Sequence, residues 1–308
     1  MNSKVTSQAA PPPVDELGKS TGLLVGVLLL QQTLGALTFP IAKLGLEFIE
    51  PFTFAFYRFV ISSTVLFLMV KFQRYETPIE RRDYWKMMGL GVLIIPFNQA
   101  MYLFGQSMTG AGHGSLLFAT VPIWIFLGAL IHMKERPSLR RAIGIVVAVV
   151  GVVVVMTTGA VEISTEYLWG DLAILVAVIA WAYYAFLGKP LVRKYGAIRV
   201  TAYALISGSI LYFPFGLYRA INLDYAAVPP MAWLSVLYVA TGVSVGAYVL
   251  WYWVLKYMDA SRIAVFHNVQ PLIAVSAAYF WLNEPLGWSF VVGGVIVIAG
   301  VIVAEVEV

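Results

Sequence analysis

A series of continuously apolar runs, each about 20 residues long and parted only by short polar stretches, limits this chain to very few folds. As a helix rising 1.5 Å per residue, such a run matches the roughly 30 Å hydrocarbon thickness of a bilayer. Ten spans fit, at 21–43, 52–72, 86–106, 113–133, 139–159, 168–188, 199–219, 231–255, 262–282 and 286–305. The strict alternation of a membrane barrel strand is missing, so the runs predict an all-α membrane protein. Apolar residues make up 60% of the chain and charged residues only 12%, against about 45–50% and 25% in soluble domains. So little charge cannot cover a soluble surface, which excludes a soluble globular protein, a disordered chain and a nucleic-acid binder. The absence of cysteine excludes disulfides, thiolate metal sites and cysteine nucleophiles.

Residues 1–20 are polar and contain Pro11-Pro12-Pro13, which predicts a disordered tail. The apolar run that follows is longer than the roughly 7–15 residues of a cleavable signal core, so it is expected to stay as the first span. Orientation follows from Lys and Arg. With the N-terminus inside and the spans alternating, 17 of the 20 basic residues fall in inside segments and only Lys43 and Arg219 at outside ends; Arg58 is embedded in the second span. That bias places both termini in the cytoplasm of a plasma (inner) membrane and explains the basic pI. Lys43, Lys189 and Lys256 end their helices and are expected to snorkel to water. In this cysteine-free background Glu162→Cys is expected to react with an impermeant thiol reagent on intact cells and Glu80→Cys to stay unlabelled; the reverse pattern would refute the orientation.

Residues 112–155 align without gaps on 261–304 at a shift of 149: Pro122 meets Pro271, Glu135 meets Glu284, Gly144 meets Gly293 and Gly151 meets Gly300. The repeat unit holds five spans, an odd number, so its two copies face opposite ways across the membrane. The halves are 21–160 and 166–305. Inverted repeats mark secondary transporters, in which exchange of conformation between halves exposes one central site to alternate sides.

With Arg58 and the paired Pro–Glu–Gly–Gly stretches, the chain resembles the drug/metabolite transporter superfamily, in its EamA-type branch, over about residues 21–305. The resemblance implies ten helices in two inverted five-helix repeats. It implies a central pocket lined mainly by helices one, three, four, six, eight and nine, and the export of amino acids and other metabolites. The second half departs from the pattern in having no arginine equivalent to Arg58, its seventh span reading Ala202-Tyr203-Ala204-Leu205.

Polar residues inside the spans are the candidates for work, because the bilayer core tolerates them only when they are satisfied. His267 and Gln270 share a helix face beside Pro271. Asn98 and Gln99 follow Pro96, and Gln31 and Gln32 lie near the middle of the first span. Tyr102, Trp124, Trp181 and Trp251 lie on helices that the resemblance places around the pocket. The expected substrate-binding set is His267, Gln270, Asn98, Gln99, Gln32, Tyr102, Trp124, Trp181 and Trp251, and the alternative role for each is helix–helix packing. Arg58, Pro122, Glu135, Gly144, Gly151, Pro271, Glu284, Gly293 and Gly300 are expected to be structural.

His267 leads as a proton-coupling candidate, with Asp171 second. No carboxylate pair lies within a span and the three histidines are far apart in sequence, so neither an acid–base enzyme site nor a histidine metal site is expected. No cofactor is expected. The residues predict a carrier, monomeric or homodimeric, whose partners are the lipid bilayer, a small-molecule substrate and a proton. The solute expected is neutral, zwitterionic or weakly cationic, partly apolar, such as an amino acid and not a sugar phosphate. The alternatives are a lipid-modifying membrane enzyme, a carrier of organic anions, or a channel.

Overall fold

A computed structural model describes residues 21–108, 117–118, 120–132, 138–156, 168–270, 272–273, 276–277 and 288–305. Helices fall there in ten successive stretches, with no strand among the described residues. Span 1 is Thr21–Ala36 continued by Thr38–Leu46, and span 2 is Pro51–Phe72. Span 3 runs through Arg81–Val92, Leu93–Ala100 and Met101–Met108; span 4 is Val121–His132 and span 5 Leu139–Met156. Span 6 is Leu168–Tyr195 and span 7 Ala197–Ala220. Span 8 runs through Pro230–Tyr238, Val239–Ala247 and Tyr248–Tyr257. Span 9 begins with Ala260–Ala264 and Val265–Val269, and span 10 is Trp288–Glu305. Spans 2, 3, 6, 7 and 8 are each long and apolar enough to cross a bilayer.

Local chemistry sets the ends. Pro51 occupies the first turn of span 2, where a missing N–H costs nothing, and the Glu50 carboxylate accepts from Thr53 N at 3.1 Å. Burial alone would raise the Glu50 carboxyl, but hydrogen bonds from Arg219 and from the Thr53 and Phe52 amides outweigh it and hold it below the ordinary range. Gly196, at φ 84°, makes the single-residue turn between spans 6 and 7, a left-handed conformation that a side chain would strain.

Two helices run past their expected ends. Span 3 begins at Arg81, not 86, and span 6 continues to Tyr195, not 188. Both extensions are held by Asp83, whose buried carboxylate accepts from Lys86 at 2.6 Å, Lys194 at 2.9 Å and Tyr195 at 2.9 Å. Charged residues that read as loop by hydropathy are instead a polar clamp between two helix ends. Lys189 likewise does not snorkel: it is 3% exposed, with Nζ 3.8 Å from an Asp259 oxygen.

The inversion of the halves is visible in the packing of spans 5 and 10. A Cβ on Gly151 would lie 2.6 Å from Val297 N and 2.8 Å from Gly293 O. A Cβ on Gly300 would lie 2.5 Å from Ala148 N and 2.7 Å from Gly144 O. Shifting the first set by 149 residues gives the second, so the two helices cross antiparallel about a pseudo-two-fold axis. Spans 2 and 7, the other self-paired elements, also run antiparallel, with Glu50 against Arg219 at one end and Ser63 against Ser209 at mid-length. Span 3 packs on span 6 as span 1 packs on span 8. Glu135, Pro271 and Glu284 lie outside the described residues; Pro122 is buried at the start of span 4. Gly151→Ala and Gly300→Ala are each expected to destabilise the protein by about 1–3 kcal/mol, because the clash is with backbone. Melting in detergent measures this, and losses of similar size are expected from the two symmetric positions.

Spans 3 and 8, equivalent in the two halves, share a second irregularity. Each widens to a π-helical stretch at mid-length, Leu93–Ala100 and Val239–Ala247. Pro96, which returns no hydrogen bond to Val92, accounts for the first. The second contains Gly242 and Gly246 but no proline. Such wide turns occur mostly where a helix serves a site.

Candidate functional site

Both π stretches face one cavity of about 170 Å³. Its wall is formed by Gln31, Gly35 and Thr38 of span 1, Arg58 of span 2, Asn98, Gln99 and Tyr102 of span 3, and Phe118 before span 4. Trp181 of span 6, Val243, Ala247 and Tyr248 of span 8, and His267 and Gln270 of span 9 complete it. Residues from both halves thus meet at one central site.

One side of the wall is a hydrogen-bonded relay. Arg58 Nε donates to Ser244 Oγ at 2.7 Å, and Nη1 donates to Gln99 Oε1 at 2.9 Å. Gln99 Nε2 donates to Asn98 Oδ1 at 2.6 Å, and Asn98 Nδ2 to the Ala177 carbonyl at 2.8 Å. These bonds tie spans 2, 3, 6 and 8 together and fix the guanidinium. On the other side Gln270 Nε2 donates to Gln32 Oε1 at 2.7 Å. Gly35 leaves room for that amide, since a Cβ there would stand 2.8 Å from Gln270 Nε2.

The cavity floor is aromatic. Trp181 Nε1 donates to His267 Nε2 at 3.2 Å. An imidazole nitrogen that accepts a hydrogen bond carries no proton, so His267 is neutral in this arrangement. Trp251 meets the His267 ring edge-on, with centroids 4.7 Å apart. Tyr184 stacks between Trp181 and Tyr252 at 5.6 and 4.7 Å. Beyond this cluster, toward the C-terminal ends of spans 6 and 8, Asp259 pairs with Arg141 Nη1 at 3.0 Å and with Lys189 Nζ at 3.8 Å. Ser261 Oγ also accepts from Arg141 at 3.1 Å. Aromatic rings and then an ionic latch therefore close one side of the cavity.

Of the residues singled out in the sequence, His267, Gln270, Asn98, Gln99, Tyr102 and Trp181 stand on the wall. Gln32 and Trp251 stand behind it, the first holding Gln270 and the second packing on His267. Trp124 bonds Thr120 Oγ1 at 3.3 Å and does not face the cavity. Asp171 sits in the first turn of span 6, off the wall. Arg58, expected to be structural unless it turned into the cavity, where it could hold a carboxylate, stands on the wall itself. The sequence reading missed Ser244 and Tyr248; the small residues Gly242 and Gly246 around Ser244 were the available signal.

Comparison with known proteins follows the same division of the chain. A sequence model described as the EamA-like transporter family matches residues 23–157 and again 168–305. An "Uncharacterized transporter" of Archaeoglobus fulgidus is 29% identical over 286 residues, covering 92% of this chain and 97% of that protein. A "Probable terminal-alkyne amino-acid exporter" of Streptantibioticus cattleyicolor is 28% identical over 278 residues, covering 90% and 91%. Among solved structures, a crystal structure at 17% identity superposes with a TM-score of 0.77, covering 92% of this chain and 97% of that one, which shows a shared fold.

Proposed function

Because the chain belongs to the EamA-like transporter family, we propose that it is a secondary exporter of a small organic metabolite of amino-acid type, working by alternating access at the cavity between its halves. The observation that carries this reading is the cavity itself, with residues of both inverted halves on one wall and one end sealed by rings and an ionic latch. Amides, tyrosines and a tryptophan suit a partly apolar solute with a few hydrogen-bonding groups. The relatives named transporters support a carrier and not an enzyme. On the orientation set by the charge bias, the Arg141–Asp259–Lys189 latch is the cytoplasmic gate, and the membrane is the plasma (inner) membrane with both termini inside. The carrier acts as a monomer or homodimer, and His267 is the group through which a proton takes part.

Counterflow in proteoliposomes preloaded with unlabelled amino acids tests the reading. Saturable uptake of a radiolabelled amino acid is expected. Exchange of a phosphate ester with none of any amino acid would overturn it.

A further inference from the structure

We infer that Arg58 determines specificity in this cavity by receiving the carboxylate of a solute that carries one carboxylate; the inference rests on the transporter reading and names the substrate class for the same site. The guanidinium stands on the cavity wall, and the three groups that engage it, Ser244 Oγ, Gln99 Oε1 and the Tyr248 hydroxyl, are all neutral. No carboxylate pairs with it among the described residues. A guanidinium keeps its charge and has five N–H donors. Ser244, Gln99 and Tyr248 engage three of them, which leaves two for a ligand. A cation inside a membrane protein without a counter-charge is costly, and such residues mark substrate paths. Here the relay through Gln99 prevents the cost from being relieved by swinging the side chain toward water.

The wall also sets which anion fits. One planar fork takes one carboxylate through two parallel hydrogen bonds. A phosphate dianion would bring a second charge that no other cation on the wall meets. Nor does the wall carry a carboxylate for an ammonium group; Gln31 Oε1, buried and without a hydrogen-bond partner, is an acceptor there but brings no compensating charge. The carboxylate is therefore read and the amino group merely tolerated. A weakly cationic solute, allowed by the sequence alone, is disfavoured by the same charge.

Three matched probes separate the contributions: L-leucine, 4-methylpentanoate and L-leucinamide, titrated calorimetrically into the purified full-length protein. Leucine and 4-methylpentanoate are expected to bind within about tenfold of each other, and leucinamide roughly 30-fold or more weakly, as expected when one partner of a desolvated charge pair is missing. Arg58→Gln is expected to lose the preference for acids and Arg58→Lys to keep part of it. The comparison within the wild-type protein stands even if Arg58→Gln misfolds. Equal binding of the amide and the acids, acid binding at wild-type strength in Arg58→Gln, or no binding of any probe would overturn the assignment. Acid binding with no flux in proteoliposomes would sink the transporter reading and leave the Arg58 assignment standing.

Discussion

His267→Ala is expected to abolish counterflow, to below about one hundredth of wild type, while the purified protein still folds and melts cooperatively, at a somewhat lower temperature. The alanine removes the acceptor of Trp181 Nε1 and the ring that fills the space between Trp181 and Trp251. The floor of the cavity then has no fixed shape, and a misplaced floor of about 1 Å alone costs on the order of 100-fold in a positioned site. His267→Gln separates geometry from protonation, since an amide oxygen still accepts from Trp181 but takes no proton near neutral pH. Protonating Nε2 has to displace the Trp181 N–H, which can only donate. Lower pH therefore favours the state in which the Trp181 bond is broken. Wild-type transport is expected to change as the pH is taken down from neutral into the acidic range, and His267→Gln to transport with a flat profile. A pH profile in His267→Gln identical to wild type would reduce the residue to packing.

The second large effect is expected at Asp259. Its carboxylate lies between Arg141 and the buried Lys189, and Asp259→Asn leaves two cations facing each other with their shared counter-charge gone. The Asp259 side chain is 42% exposed, so solvent screens the loss and the change is set at about 1–2 kcal/mol, far below that of a fully buried pair. That still shifts the balance between closed and open gates by a factor of roughly 5–30. A single cysteine at Ala185, fully buried on span 6, reports it. Labelling by a thiol reagent applied to inside-out vesicles is expected to speed up by that factor in Asp259→Asn. Unchanged labelling would mean that the latch ties helix ends without gating.

How much of this was legible in the sequence differs between fold and site. The order of the helices, their inversion and the glycine contacts of spans 5 and 10 were readable, because apolar run length and the spacing of Gly144, Gly151, Gly293 and Gly300 are one-dimensional signals. The ends of spans 3 and 6 were not, because hydropathy counts Asp83, Lys189 and Lys194 as water-seeking and cannot see that they satisfy one another or Asp259. In the cavity, helical spacing put His267 and Gln270 on one face, and both stand on the wall. The sequence singles out Arg58 but not its orientation, which is set by a partner 41 residues away, Gln99, and another 186 away, Ser244. Trp251 and Trp124 show the converse: an aromatic residue on the right helix takes its side of the wall from rotation, which a chain this rich in apolar residues does not encode by period.

The crossing of spans 5 and 10 has a further consequence. Gly151 meets Val297 as Gly300 meets Ala148, so the surface each half offers is the surface it accepts. A contact of that kind is self-complementary, and it does not require the two halves to be joined. A five-helix chain bearing this face would pair with an upside-down copy of itself, provided that it inserted into the membrane both ways round. Joining two copies head to tail removes that requirement: each half is committed to one direction, and lysine and arginine can accumulate on one side only. Once the halves no longer have to be interchangeable, their cavity faces are free to diverge, and an arginine can stand in one half with nothing opposite it in the other.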